Sequence, residues 1–293
     1  MKNILQKVLF ILSLTAVIVW AVFSVISLPD NSSVTALEID GLMRYTPKHG
    51  AKIVYGYSGR GRELKAWRFG KGDNVLVMTF CLHGYEDGFD RDGAALVYTA
   101  NEIMEAIPRW ECEEWSIYVL PCCNPDGLIE GTSNESFGRC VGSVYLENGS
   151  ISFSTYADIN RCFPVNWESL TEARFYNGTA PLACAESVAL ADFLKEVKGE
   201  EMNFCIDVHG WYQQTLTSSG NQSVMYKIFN TGFPENTWAD VNRGTGYLAA
   251  YAAVLGYDSM LFEFPSGVNN MDDFENSGYA KTFIECVRML VGG

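Results

Sequence analysis

The stretch Thr79-Phe80-Cys81-Leu82-His83-Gly84-Tyr85-Glu86-Asp87-Gly88 organises the chain. The apolar run at 74–81 has the length and composition of a buried strand. It delivers the backbone to His83, and Glu86 follows three residues later. Gly84 and Gly88 allow a tight turn between strand and helix. An imidazole and a carboxylate so placed can grip one metal ion. A solvated loop with a stray His can look the same, so other parts of the chain must decide.

The chain has three histidines. His49 lies in a polar stretch, residues 45–50, and is expected at the surface. His83 and His209 share a setting, each ending an apolar strand and followed by Gly. Sites in open α/β sheets form outside the carboxyl ends of strands. His83, Glu86 and His209 converging there would be three protein ligands, leaving a fourth position open, as catalytic zinc requires. Neutral imidazole and carboxylate suit zinc better than magnesium or calcium. Glu263 stands inside Met260-Leu261-Phe262-Glu263-Phe264-Pro265, where an acid is costly unless paired or working. It is the candidate general base. The segment 157–164 puts Asp158, Asn160 and Arg161 beside apolar residues, and Arg suits bidentate carboxylate binding. A surface ion pair between Asp158 and Arg161 is the plainer alternative.

Length and charge bound the answer. The 293 residues carry a formal net charge of −14, with 48% hydrophobic and 19% charged residues. Such an acidic chain disfavours nucleic acid, because phosphate binding needs a basic face. Residues 1–27 read as an export segment. Lys2 and Lys7 precede an uncharged run of 19 residues, 8–26, long enough to span a bilayer. An uncleaved signal anchor, with the domain outside by the positive-inside rule, is preferred; cleavage after Ser27 and secretion is the alternative. The nine cysteines contain no CxxC pair, so zinc-finger arrangements are unsupported. Cys140 with Cys162 is the candidate disulfide, and Cys81 and Cys205 are expected as buried small hydrophobes.

In order, residues 28–50 read as a polar linker, 51–70 as a hairpin turning at Ser58-Gly59-Arg60-Gly61-Arg62, and 93–107 as a helix. Strands are predicted at 115–120, 202–208 and 258–264, and helices at 183–197, 238–255 and 280–291. Pro125-Asp126-Gly127 reads as a turn and 131–157 as a long functional loop. Strands alternating with helices predict an α/β fold: one domain, 51–293, with a mostly parallel mixed central β-sheet covered by helices on both faces, preceded by the transmembrane or signal segment.

Five pieces resemble the zinc carboxypeptidases of the carboxypeptidase A-like (funnelin) family, closest in flavour to bacterial murein-peptide amidases. They are His83-Gly84-Tyr85-Glu86, Asn124-Pro125-Asp126-Gly127, Asp158-Ile159-Asn160-Arg161-Cys162-Phe163-Pro164, Asp207-Val208-His209-Gly210 and Phe262-Glu263-Phe264-Pro265, in the family's order over about residues 52–290. The resemblance implies that His83, Glu86 and His209 bind one Zn2+ and that Glu263 is general base and acid. Asn160 and Arg161 would hold the substrate's terminal carboxylate, and Asp158 would orient His83. Arg139 is the candidate for polarising the scissile carbonyl. Tyr247, in competition with Tyr251 and Tyr257, is the candidate substrate cap. The implied reaction is hydrolysis of a C-terminal peptide or amide bond, on a cell-wall stem peptide such as one with a γ-D-glutamyl–diaminopimelate bond. The alternatives are a general peptide metallocarboxypeptidase and a non-catalytic wall-binding module. A thiol redox reading of Cys122-Cys123 is poor, since adjacent cysteines lack CxxC geometry.

Overall fold

The computed structural model describes residues 33–292. The expected signal anchor at 1–27 therefore lies outside the described residues. Among the described residues no helix is long and apolar enough to cross a membrane.

The strands, in chain order, are β1 (Ala51–Tyr57), β2 (Glu63–Gly70), β3 (Asn74–Phe80), β4 (Trp115–Leu120), β5 (Ser133–Cys140), β6 (Val144–Tyr145), β7 (Ile151–Ser152), β8 (Asn203–Gly210), β9 (Gln214–Thr217), β10 (Thr237–Asp240) and β11 (Asp258–Phe264). The helices are α1 (Ala36–Arg44), α2 (Gly93–Ala106), α3 (Pro125–Glu130), α4 (Ala185–Val197), α5 (Val224–Gly232), α6 (Leu248–Val254), α7 (Met271–Ser277) and α8 (Tyr279–Leu290). Eight strands form one sheet in the order β1-β2-β4-β3-β8-β11-β9-β10. Its centre, β4-β3-β8-β11, is parallel, and antiparallel pairs flank it. The sheet is thus mixed, as expected, with its parallel part in the middle.

The central strands explain the arrangement. Every residue of β3 and β8 is buried; β3 is a nearly continuous apolar run, as a strand covered on both faces requires, and β8 breaks that pattern in its interior at Asp207 and His209. The two-residue period of β3 sends Leu76, Met78 and Phe80 to one core, with α2, α5 and α8. It sends Val75 and Val77 to the other, with α4 and α6. On α8 the buried Ala280, Phe283, Val287 and Leu290 recur at helical spacing and form its core stripe. Helices therefore cover both faces.

Several expectations are corrected. The linker at 28–50 contains α1, which starts in a capping box: Thr35 accepts from the Glu38 N–H and Glu38 reaches back to Thr35. The long loop at 131–157 holds β5 and the β6–β7 hairpin. The turn at Pro125 opens the short α3, capped by Asn124, whose Oδ1 accepts the Gly127 N–H at 2.8 Å. The helix expected over 238–255 is shorter: residues 237–240 pair with β9 as a parallel strand, and Gly244 and Gly246 (φ +63°) interrupt the run before α6. The strand β9 and the helices α5 and α7 were not anticipated. Cys140 and Cys162 do not pair. All nine cysteines are free thiols, and Cys162 donates instead to the Asp158 carbonyl at 3.2 Å. Cys81 and Cys205 are fully buried.

Candidate active site

Adjacent positions in the sheet order bring the carboxyl ends of β3, β8 and β11 together. His83 follows β3, while His209 and Glu263 stand near the ends of β8 and β11 as direct register partners. A one-residue slip would turn either side chain to the opposite face.

His83, Glu86 and His209 are buried, and one ligating atom from each lies within 4.8 Å of the others. The Nδ1 of each imidazole faces the Glu86 carboxylate, His83 at 3.0 Å from Oε2 and His209 at 2.8 Å from Oε1. Both outer nitrogens are held by carboxylates. His83 Nε2 lies 2.8 Å from Asp158 Oδ1, as expected of Asp158. His209 Nε2 lies 3.0 Å from Asp207 Oδ2. With the outer nitrogens protonated against these acceptors, both Nδ1 lone pairs turn to the shared centre. Burial raises the Glu86 pKa, but His83 and His209 outweigh it and hold the carboxyl well below its usual range. Burial opposes protonation of His209, yet Asp207 and Glu86 leave the ring strongly basic. A buried, convergent set of two imidazoles and one carboxylate, with both outer nitrogens tied down, fits one zinc ion.

Glu263 is half-buried, but its Oε2 is buried with no hydrogen-bond partner. Burial pushes its carboxyl up to about 7, partly opposed by His209. A carboxylate so poised suits proton transfer near neutral pH.

Arg139 is buried. Its Nε donates to Asp158 Oδ2 at 3.3 Å and its Nη1 to Glu86 Oε2 at 3.2 Å. Asn160 has another task than the one expected. It is 1% exposed, its Oδ1 accepts the Leu248 N–H at 2.8 Å, and its Nδ2 donates to Asp207 Oδ2 at 3.2 Å. Its amide is committed within the fold, supporting Asp207 and the start of α6. Arg161 is half-buried and makes no ion pair among the described residues; its Nη1 donates to the Asn160 carbonyl at 2.8 Å. Its guanidinium lies 4.7 Å from the Tyr247 ring centroid and 5.3 Å from that of Phe175. Tyr251 stacks in the core on Phe163, and Tyr257 donates to the Leu194 carbonyl. Of the three competing tyrosines, Tyr247 is the one that packs against Arg161. His49 is exposed, as expected.

Two acids escaped the sequence reading. Asp207 lies two residues before His209, on the same strand face, and its Oδ1 accepts from Thr79 Oγ1 at 2.8 Å. Asp92 sits at the start of α2. It accepts the Glu86 N–H at 2.6 Å, the Gly88 N–H at 2.8 Å and Trp211 Nε1–H at 2.8 Å, pinning the loop that carries Glu86. Spacing could have suggested Asp207; nothing local suggests Asp92. Gly84 has a different purpose from the expected turn. A Cβ there would stand 2.3 Å from the Leu128 nitrogen, so Gly is needed for close backbone approach to α3.

Comparison with known proteins agrees with this geometry. The zinc carboxypeptidase family (Peptidase_M14) matches residues 38–243. A bacteriocin, BCN5, of Clostridium perfringens is 36% identical over 247 residues, covering 83% of this chain but 26% of its own length. A zinc carboxypeptidase of Simulium vittatum is 26% identical over 193 residues, covering 62% of this chain and 61% of its own. The chain thus spans about a quarter and about three-fifths of these two relatives. Among solved structures, bovine thrombin-activatable fibrinolysis inhibitor superposes with a TM-score of 0.65 at 17% identity, covering 89% of this chain and 96% of that one. The murein-tripeptide amidase MpaA of Escherichia coli O157 superposes with a TM-score of 0.56 at 16% identity, covering 86% and 94%. At these identities the structural likenesses establish the fold. The family match spans more than half the chain, and the His83–Glu86–His209 set fits the ion in the family's name: the chain belongs to the zinc carboxypeptidase family.

Proposed function

We propose that the protein hydrolyses the C-terminal peptide or amide bond of a short peptide, and that its substrate is a cell-wall stem peptide such as one with a γ-D-glutamyl–diaminopimelate bond. The observation that carries the catalytic part is the Glu263 Oε2 atom, buried without a partner beside the His83–Glu86–His209 set. The shared fold with a murein-tripeptide amidase supports the substrate part.

His83, His209 and Glu86 would hold one zinc ion, the Nδ1 of each imidazole being the nitrogen turned to the shared centre. When bound, zinc supplies Lewis acidity, which acidifies water and polarises a carbonyl. Glu263 Oε2 takes the proton of the attacking water and returns it to the departing amine. Arg139 stabilises the developing oxyanion. Two of its nitrogens are held by Glu86 and Asp158, and Nη2, without a partner among the described residues, is its remaining donor. Arg161 binds the substrate's free carboxylate, which fixes the register of the chain end, and Tyr247 covers it. The run at 8–26 anchors this domain outside the membrane, so that it meets wall peptides there.

The test is incubation of the zinc-loaded protein with defined muropeptides and with ordinary peptides, identifying products by mass. Cleavage of the muropeptide at the γ-D-glutamyl bond is the expected result. Cleavage of ordinary peptides alone would favour a general metallocarboxypeptidase, and no cleavage of either would favour a wall-binding module. Membrane retention of the full chain checks the anchor, and release of a shortened form would refute it.

A further inference from the structure

Phe175 has no place in the chemistry above, yet three arginines converge on it. The guanidinium carbons of Arg161, Arg174 and Arg139 lie 5.3, 5.5 and 5.7 Å from its ring centroid. An aromatic ring attracts cations within about 6 Å of its centroid, more strongly where water is excluded. Three like charges around one ring need counter-charges, and two have them. Arg139 is paired with Glu86 and Asp158. Arg174 donates twice to Asp87, at 2.6 and 2.8 Å, and once to Glu135, at 2.9 Å. Arg161 alone makes no ion pair among the described residues, and the Phe175 and Tyr247 rings flank it.

The ring therefore joins three parts of the site. Through Arg139 it reaches Glu86. Through Arg174 it reaches Asp87, the residue after Glu86, so the metal loop and the ring are tied together. Through Arg161 it reaches the group assigned above to the substrate's terminal carboxylate. We infer that Phe175 is a positioning residue: its ring fixes the Arg161 guanidinium relative to Arg139, and so makes the site select peptides that end in a free carboxylate. The inference rests on the proposed role of Arg161. Its physical content is entropic and electrostatic. A long guanidinium side chain has many rotamers, and two aromatic faces leave it few while neither removes its hydrogen-bonding edge.

The test separates binding from turnover. The zinc-loaded full chain in detergent, carrying Glu263→Gln to prevent hydrolysis, is titrated calorimetrically with a peptide acid and with the same peptide as its C-terminal amide. The ratio of the two affinities reports carboxylate selection. Phe175→Leu is expected to lower that ratio by about tenfold, the scale of a partly desolvated cation–π contact, with zinc content unchanged. Phe175→Tyr keeps the aromatic face and is expected to retain the ratio. Phe175→Met, whose unbranched side chain adapts to irregular space, repeats the measurement if the Leu variant does not fold. A ratio unchanged in Phe175→Leu or Phe175→Met would overturn the inference, as would an equal fall in Phe175→Tyr. Failure of the parent enzyme to hydrolyse any peptide would refute the proposed function and leave this binding result standing on its own.

Discussion

Glu263 and His209 are direct neighbours across the parallel β8–β11 ladder, so the proposed base and a proposed metal ligand share one register. Their separation is set by backbone hydrogen bonds and not by a flexible loop. A replacement that preserves shape should therefore isolate the chemistry. Glu263→Gln is expected to bind zinc as the parent does and to lose at least about 100-fold in kcat, the lower range for removal of a general acid–base. Zinc analysis and peptide turnover on the same preparation check this. Undiminished turnover would remove Glu263 from the mechanism.

Asp207 should matter through the metal and not through the substrate. It accepts from His209 and Thr79, and it is fully buried. Removing the acceptor behind a metal-bound imidazole typically weakens metal binding by about 10- to 100-fold. Asp207→Ala is expected to show that loss in a competition titration against a chromophoric chelator. Thr79→Val, which removes only the donor behind Asp207, is expected to lose less. Equal zinc affinity in Asp207→Ala and the parent would contradict the assignment.

Much of this site was legible because burial makes polar residues conspicuous. His83, His209 and Glu263 each close an apolar run, and such runs belong to central parallel strands. Asp92 and Phe175 were not legible. Asp92 acts by accepting from Glu86, Gly88 and Trp211, and Phe175 by gathering arginines from separate segments; no local spacing encodes either. The resemblance pairs Asn160 with Arg161 as carboxylate ligands, but the two side chains are held differently: the Asn160 amide bonds Leu248 and Asp207, while the Arg161 guanidinium lies against the Tyr247 and Phe175 rings. The helix α1 was readable in principle, from Thr35-x-x-Glu38 before an apolar pattern. The helix expected at 238–255 failed because its alanines outweighed Gly244-Thr245-Gly246, which break it.

Gly84 offers a test of the link between loop packing and metal. Its missing Cβ is occupied in effect by the backbone of Gly127 and Leu128, at 2.5 and 2.3 Å. Backbone cannot swing aside as a flexible side chain can. Gly84→Ala must displace either α3 or the His83–Glu86 loop, at a cost of about 1–3 kcal/mol by analogy with overpacked cores. The variant is expected to melt at lower temperature and to hold less zinc at equal free metal. Normal melting with normal zinc would show that the loop accommodates the methyl group.

Glu186 sets an expected pH dependence of stability away from the metal. It is fully buried at the start of α4, where Oε1 accepts the Gly59 N–H at 2.9 Å and Oε2 has no partner. Burial pushes its carboxyl from 4.5 up to about 7. The folded state therefore holds this proton more tightly than the unfolded chain does. Its contribution is fully present below about pH 4.5, falls as pH rises, and is lost above about pH 7, a swing of about 3 kcal/mol. Glu186→Gln cannot titrate and should remove that part of the slope. Urea unfolding of parent and variant, compared at about pH 5 and about pH 8, isolates it, because all other groups are common to both. The parent should lose more stability than the variant between these two points. Equal losses would mean that Glu186 keeps an ordinary pKa in the folded state, through water reaching Oε2 or a local opening of the turn at Gly59.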